Sequence, residues 1–334
     1  MTKVLLTGGF GYIGSHIASL LALNKQDFII YDNFSNCKKN IIERLNKLTG
    51  KKIKFVCGDI RDTNNLVKTI QDNRVSSVIH LAALKSVGES TQRPIKYYDI
   101  NVCGTISLLN AMETSGVKNL LFSSSATIYG EPKYLPINEK HPLEATNPYG
   151  ETKLIVERIL KDVVISDKDW SITSLRYFNP IGAHISGLIG DDPSISKNQN
   201  IIPSIMKVIV GSKDYFEIFG NDYDTKDGTG VRDYIHIMDL ADAHISALNH
   251  LLTNKGLNIF NLGTGNGFSV MEVINTFEKI INKEIPKVII QKRKGDVSTC
   301  YADPKLAKEI LNWKSKFNLM DMCLSSWNFS KSNK

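Results

Sequence analysis

The sequence has no CxxC pair, no block of like charge, and no apolar run near the ~18 residues that a membrane span requires. Its five cysteines, Cys37, Cys57, Cys103, Cys300 and Cys323, are an odd and scattered set, which indicates neither a disulfide framework nor a zinc site. A reducing, cytoplasmic setting is expected, with no bound metal. Met1-Thr2-Lys3 runs directly into the apolar Val4-Leu5-Leu6, without the basic, apolar and small-residue zones of an export signal. The net charge of +7 is dispersed, and its densest groups, Lys51-Lys52 and Lys292-Arg293-Lys294, are short. Such spacing fits a solvated surface rather than a nucleic-acid or membrane partner. There is no internal repeat and no low-complexity tract.

What is present is a chain of 334 residues, 42% hydrophobic and 22% charged, near the averages for a globular protein with a substantial core. Its first half alternates short apolar runs with amphipathic stretches, the pattern of βαβ units around a parallel sheet. Strands are expected at Val4 to Thr7, Phe28 to Tyr31, Ile53 to Cys57, Val78 to Leu81, Asn119 to Ser123 and Ser171 to Arg176. Helices are expected at Tyr12 to Leu23, Thr63 to Asn73, Pro94 to Ser115 and Tyr149 to Val164. The fold class is therefore α/β: a Rossmann-type doubly wound sheet, with a smaller mixed α/β lobe. Residues 1–179 form the first unit, with a later return of the chain around 233–265, and 180–334 form mainly the second. From Asn179-Pro180 to about Asp227 the chain is rich in Gly, Asp, Asn and Ser and reads as loops over a ligand. Ile259 to Leu262 reads as a further strand, and Ser269 to Ile281 as a helix begun by a serine cap.

Between the first strand and first helix stands Thr7-Gly8-Gly9-Phe10-Gly11-Tyr12-Ile13-Gly14. Gly8, Gly11 and Gly14 allow a tight turn and close approach of a pyrophosphate to the helix N-terminus. Asp32 ends the second strand, where its carboxylate can accept from both hydroxyls of an adenosine ribose. A 2′-phosphate would be repelled there, so NAD is favoured over NADP. Asp59, after the third strand, lies at the same sheet edge, within reach of adenine, although a lone aspartate there also suits a turn.

Tyr149 and Lys153 lie four residues apart, on one face of a predicted helix. An adjacent ammonium and a positive nicotinamide would favour the phenolate and make Tyr149 a base. Ser125, in Ser123-Ser124-Ser125 at a strand end, can bond the reacting hydroxyl and pass its proton to Tyr149, while Lys153 also grips the nicotinamide ribose.

TGGFGYIG, the SSSATIYG run ending at Gly130, NPYGETK, LRYFNPIGAH and GTGVRDYIHIMDLADAH, in this order, resemble the UDP-glucose 4-epimerases of the extended short-chain dehydrogenase/reductase class. The resemblance runs from residue 3 to about 313. It implies an isomerase that holds NAD tightly: hydride leaves the sugar C4 as Tyr149 takes the 4-hydroxyl proton, and the 4-keto sugar turns and is reduced on its other face. Around the cofactor it implies Gly8, Gly11, Tyr12, Ile13, Gly14, Asp32, Asn33, Asn36, Asp59, Ile60, Leu81, Ala82, Ala83, Lys85, Asn101, Tyr149, Lys153, Tyr177 and Phe178. Around the UDP-hexose it implies Lys85, Ser125, Tyr149, Asn179, Asn200, Ile201, Glu217, Phe219, Arg232, Tyr234, Arg293, Asp296 and Cys300, with Arg232 and Arg293 neutralising the diphosphate through their planar forks. It also implies a homodimer, to which the helices at Pro94 to Ser115 and Tyr149 to Val164 would contribute. His184 and His236 have no metal or triad spacing and are assigned to structure or the pocket rim.

In one place the sequence departs from many bacterial relatives. They carry tyrosine where this chain has Cys300, and relatives with a small residue there also accept N-acetylated sugars, so UDP-GlcNAc and UDP-GalNAc are expected substrates beside UDP-glucose and UDP-galactose. A nucleotide-sugar 4,6-dehydratase would carry Asp-Glu after the active-site hydroxyl, whereas Ser125 is followed by Ala126-Thr127. A non-catalytic NAD-binding scaffold would have no need of Tyr149, Lys153 and Ser125 together.

Overall fold

The computed structural model describes residues 2–194, 200–293 and 295–332; Met1 and Lys294 lie outside them. In the first half, β1 (Lys3–Thr7), α1 (Tyr12–Leu23), β2 (Asp27–Asp32), α2 (Ile41–Thr49), β3 (Phe55–Cys57), α3 (Thr63–Asp72) and β4 (Ser77–His80) are followed by α4 (Val87–Gln92), α5 (Pro94–Tyr97), α6 (Gly104–Thr114), β5 (Asn119–Ser123), α7 (Pro148–Ser166) and β6 (Ser171–Tyr177). The second half comprises β7 (Asn179–Ile181), α8 (Ile201–Ile209), β8 (Phe216–Phe219), β9 (Val231–Arg232), β10 (Tyr234–His236), α9 (Ile237–Leu251), β11 (Gly256–Leu262), β12 (Phe268–Ser269), α10 (Val270–Ile281), β13 (Lys287–Ile290), β14 (Thr299–Cys300), α11 (Lys305–Leu311) and α12 (Leu319–Ser332).

Seven parallel strands make the main sheet in the order β11-β6-β5-β4-β1-β2-β3. Both faces are covered, so its strands carry unbroken apolar runs. In β1, Val4 and Leu6 point into a core with Ile17 and Leu21 of α1 and Leu240 of α9, while Leu5 points the other way, among Leu66 of α3, Leu108 of α6 and Val156 of α7. A separate core gathers Ile205 of α8, Phe216 of β8, Phe277 of α10 and Met322 of α12 into the smaller, mixed lobe. Strand order reverses between β1 and β4, which opens a crevice at the strands' carboxyl ends.

Two readings of the sequence need correction. Pro94 to Ser115 is not one helix: a wider, π-type turn at Tyr98–Cys103 separates α5 from α6. The extra residue turns Asn101 inward, where its amide bonds Thr152 Oγ1 at 3.0 Å and both backbone groups of Leu84. Such interruptions cluster near functional sites. The stretch to Asp227 is not all loop either, because it contains α8 and β8. The capped helix after Ser269 forms as expected, with Ser269 and Glu272 closing a reciprocal capping box.

Glu157 and Arg176 meet in a buried two-toothed ion pair, with Nη2 to Oε2 at 2.6 Å. Arg176 also donates to the Tyr129 hydroxyl and Ser174 donates to Glu157, so the desolvated charges are fully engaged. The pair ties α7 to β6, two turns below Tyr149.

Burial holds His16 and His80 down to about 3, and His236 and His244 down to about 4. The unfolded chain takes protons on these rings from about pH 6.5 downward, well before the folded one does. Stability present above that value is therefore lost as pH falls toward 4. The urea midpoint is expected to drop between about pH 7 and about pH 5, with a shallower drop in His80→Asn; an unchanged slope in that variant would count against the assignment.

Candidate active site

The glycine turn is sterically compelled. Gly8 has φ +67°, and a Cβ there would stand 2.8 Å from the Ala82 backbone nitrogen. At Gly14 a Cβ would run into the Gly8 carbonyl. Gly11 precedes α1 with no side-chain cap, so the first-turn N–H groups face the crevice. Asp32 accepts from Phe34 N at 2.8 Å through Oδ1 and from Phe10 N at 3.0 Å through Oδ2, and burial raises its pKa. Each oxygen keeps a lone pair for a ligand.

These groups line a cavity of about 560 Å³ that runs from Asp32, Asn33, Asn36, Asp59 and Ile60, past Gly8, Gly11, Tyr12, Ile13 and Gly14, to Leu81, Ala82, Ala83, Lys85, Tyr149, Lys153 and Tyr177. Among the residues expected here, Asn101 and Phe178 do not line it. Asn101 stands behind, bracing the Leu84 backbone, and Phe178 faces the neighbouring cavity. Asp59 reaches the rim with its carboxylate already gripped by Arg61 through Nε and Nη2; these bonds lower its pKa to about 2. Arg61 in turn pairs with Asp99 at 2.5 Å.

The second cavity, of about 420 Å³, lies between the sheet edge and the smaller lobe. Lys85, Ser125, Tyr149, Asn179, Asn200, Ile201, Glu217, Phe219, Arg232, Tyr234, Arg293, Asp296 and Cys300 all line it. The Arg293 guanidinium stacks 3.5 Å above the Phe219 ring, and Arg232 donates to the Val231 carbonyl at 2.9 Å. Lys213 pairs with Glu217 at 2.7 Å. Cys300 faces Arg232 in strand register, and burial pushes its thiol up to about 11. Lys294, the last of the sequence's basic trio, lies outside the described residues.

The cavities meet at Tyr149, which lines both. Asn147 caps α7 by accepting from Gly150 N, and Pro148 suits the first turn, so Tyr149 emerges at the helix start. One turn on, Lys153 Nζ donates to the Ser123 carbonyl at 2.7 Å. Burial lowers Lys153 to about 7, against the pull of Glu157. Ser125 accepts from Thr127 Oγ1 at 3.0 Å. The expectation of a lowered Tyr149 pKa is not met by the protein alone: burial raises it, and the nearby Ser125 hydroxyl only offsets this. His236 caps α9 by accepting from Met238 N at 3.0 Å, His184 bonds Ser186, and neither lines either cavity.

A family model described as GDP-mannose 4,6 dehydratase matches residues 5–325. The UDP-glucose 4-epimerase of Bacillus subtilis (strain 168) is 48% identical over 330 residues, covering 99% of this chain and 97% of the relative. The chain belongs to the UDP-glucose 4-epimerase family of extended short-chain dehydrogenase/reductases. Its fold matches the UDP-glucose-4-epimerase of Stenotrophomonas maltophila, solved with bound NAD and formylated UDP-arabinopyranose, at TM-score 0.97 and 43% identity over 100% of this chain and 99% of that one. The enzyme of Bifidobacterium longum, in complex with NAD+ and UDP, matches at TM-score 0.95 and 46% identity, with 99% of each chain covered. Although the family model is described by a dehydratase, Ser125 is followed here by Ala126 and Thr127, without a carboxylate pair.

Sequence reasoning missed several lining residues. Thr127 followed a recognised serine and was within reach of notice. Tyr223, Asp191 and Phe329 carried no motif, and Phe329 lies beyond the stretch of resemblance.

Lys153 also sets a pH dependence. Folded, it loses its proton near pH 7; unfolded, it keeps it to about 10.4. The unfolded chain thus binds more protons between these values, and stability contributed by this group rises with pH across that window. Urea midpoints at about pH 7 and about pH 9 should rise less in Lys153→Met than in the parent, and parallel slopes would refute the assignment.

Proposed function

We propose that this protein inverts C4 of UDP-glucose and UDP-galactose reversibly, keeping NAD bound throughout. One observation carries the reading: Tyr149, with Lys153 and Ser125 beside it, stands where the long cleft and the arginine-bearing cavity meet. The long cleft fits a dinucleotide. Its Gly8 and Gly14 leave room where a Cβ would collide with backbone, the uncapped start of α1 suits a pyrophosphate, and Asp32 suits the hydroxyls of an unphosphorylated ribose. Bound NAD supplies reversible acceptance of a hydride from the sugar.

The chain's own residues do the rest. Tyr149 takes the proton of the C4 hydroxyl and later returns it, with Ser125 as the hydrogen-bonding intermediary and Thr127 fixing the serine hydroxyl. Lys153, its amine anchored on Ser123, brings positive charge to the phenol's side of the site. Arg232 and Arg293 hold the diphosphate, with the Phe219 ring supporting the Arg293 guanidinium from one side. A firm grip at that end, with a roomy pocket at the other, lets the hexose present either face.

Cys300 supports a second substrate pair, UDP-GlcNAc and UDP-GalNAc, because its small side chain leaves volume for a 2-acetamido group in the sugar cavity. The reading also extends to a homodimer, supported by Ile95, Ile106 and Ile165, which stand exposed on α5, α6 and α7. A cytoplasmic location is part of the same reading; no helix among the described residues is long and apolar enough to cross a membrane.

The test is to incubate the purified protein, without added NAD, with UDP-galactose and separately with UDP-GalNAc, and to follow the anomeric signals by NMR. Both should convert to their C4 epimers, and Tyr149→Phe should lose about a hundredfold or more of the turnover. No reaction, even with NAD supplied, would overturn the reading. Cys300→Tyr should abolish conversion of UDP-GalNAc and spare that of UDP-galactose; equal loss of both would refute the role given to Cys300.

A further inference from the structure

The segment after β7 leaves the smaller lobe, crosses to the nucleotide side and returns. Gly182, at φ +100°, starts the departure. Ala183 then pairs with Gly190 in a short antiparallel bridge, and His184 N donates to the Ile189 carbonyl at 3.1 Å. The resulting hairpin turns at Gly187, at φ +68°, with Ile185 almost fully exposed at its tip.

Its other end is not at the surface. Ile189 is fully buried and belongs to the same core as Ile17 of α1 and Leu45 of α2, so a residue of the crossing segment is packed into the nucleotide-binding half. Three polar ties hold the hairpin to that half. The Tyr12 hydroxyl, from the glycine turn, donates to the Gly182 carbonyl at 2.7 Å. Arg44 Nη1 of α2 donates to the Leu188 carbonyl at 3.5 Å. Lys38, just before α2, pairs with Asp192 at 3.3 Å and donates to Ser194 Oγ at 2.6 Å. Leu188 to Asp192 form one wall of the long cleft, and Lys38 and Arg44 line it from the facing side.

A dinucleotide lying from Asp32 to Tyr149 would lie against the docked hairpin along that wall. We propose that Gly182–Ser194 is a clasp over the cofactor cleft, anchored by Ile189 and latched by Lys38, whose undocking sets the rate at which the dinucleotide leaves. The inference rests on the reading that the cleft holds NAD, and it assigns a retaining role to residues outside the glycine turn and the Tyr149 site. Retention suits an epimerase, since a reduced cofactor that left between the two half-reactions would strand the keto sugar. The hairpin is also placed to sense the sugar, because Asp191 lines both cavities.

The test uses the holoenzyme. Bound NAD is chased with an excess of the fluorescent ethenoadenine analogue of NAD, and the exchange rate is read by fluorescence. Ile189→Ala, which empties the anchor site, should speed exchange roughly tenfold or more. Lys38→Met should speed it about twofold to fourfold, and Ser194→Ala, which removes a latch partner outside the cleft lining, should speed it as well. Raising salt from about 0.05 to about 0.5 M should accelerate exchange more in the parent than in Lys38→Met, a difference that a general loss of stability would not produce. Equal rates and equal salt responses in parent and Lys38→Met, with Ile189→Ala unchanged or accelerated only in step with its unfolding, would overturn the clasp. A parent protein that carries no dinucleotide and takes up none would overturn the functional reading, and the clasp with it.

Discussion

The bond from Lys153 Nζ to the Ser123 carbonyl decides the geometry on which the rest of the site depends. It fastens the first turns of α7 to the last residue of β5, and so sets the spacing between Tyr149 on the helix and Ser125 beyond the strand. A lysine amine buried this deeply is costly to keep charged. The cost is offset from below, where Glu157 on the same helical face pulls toward protonation while its own charge is matched by Arg176. The Arg176 pair also reaches Tyr129 and through it Asn261 of β11, so the catalytic helix is braced by three strands of the main sheet.

The same economy recurs around the nucleotide. Asp32 is fixed by two backbone N–H groups, one from the glycine turn and one from Phe34, which adopts a left-handed φ of 56° to supply it. Phe34 tolerates that conformation because its ring stacks on Phe10 at 5.0 Å and meets Phe55 edge-on. Bulky aromatics inside and after a glycine-rich turn thus act as the turn's packing support.

Much of this was legible in the sequence, for identifiable reasons. Gly8, Gly11 and Gly14 could be read because their spacing has a steric cause, and α1 emerges over Tyr12–Leu23, as its periodicity predicts. Tyr149 and Lys153 could be read because helical geometry puts residues four apart on one face. The turn at Tyr98–Cys103 could not: an inserted residue that aims Asn101 at Leu84 leaves the apolar period almost undisturbed. Helix α8 was hidden by its composition, with Pro203 in its first turn, where a missing N–H costs nothing, and Asn-rich chain before it. The clasp was illegible because Ile189 is a single apolar residue among glycines and aspartates, and its partners lie about 140 positions away in the chain. The burial that raises the Tyr149 pKa in the protein alone was not legible either. Charge neighbours are visible in a sequence, whereas burial, which here dominates, is a property of the packed whole.

The placement of α12 has a consequence for biosynthesis. Phe329, near its end, lines both cavities and stands against Gly190 of the crossing hairpin. A chain emerging from the ribosome has its glycine turn, Asp32 and Tyr149 long before this last helix, and the sheet itself waits for β11 to close its edge against β6. The nucleotide cleft thus gains its last wall only once the end of the chain has been made.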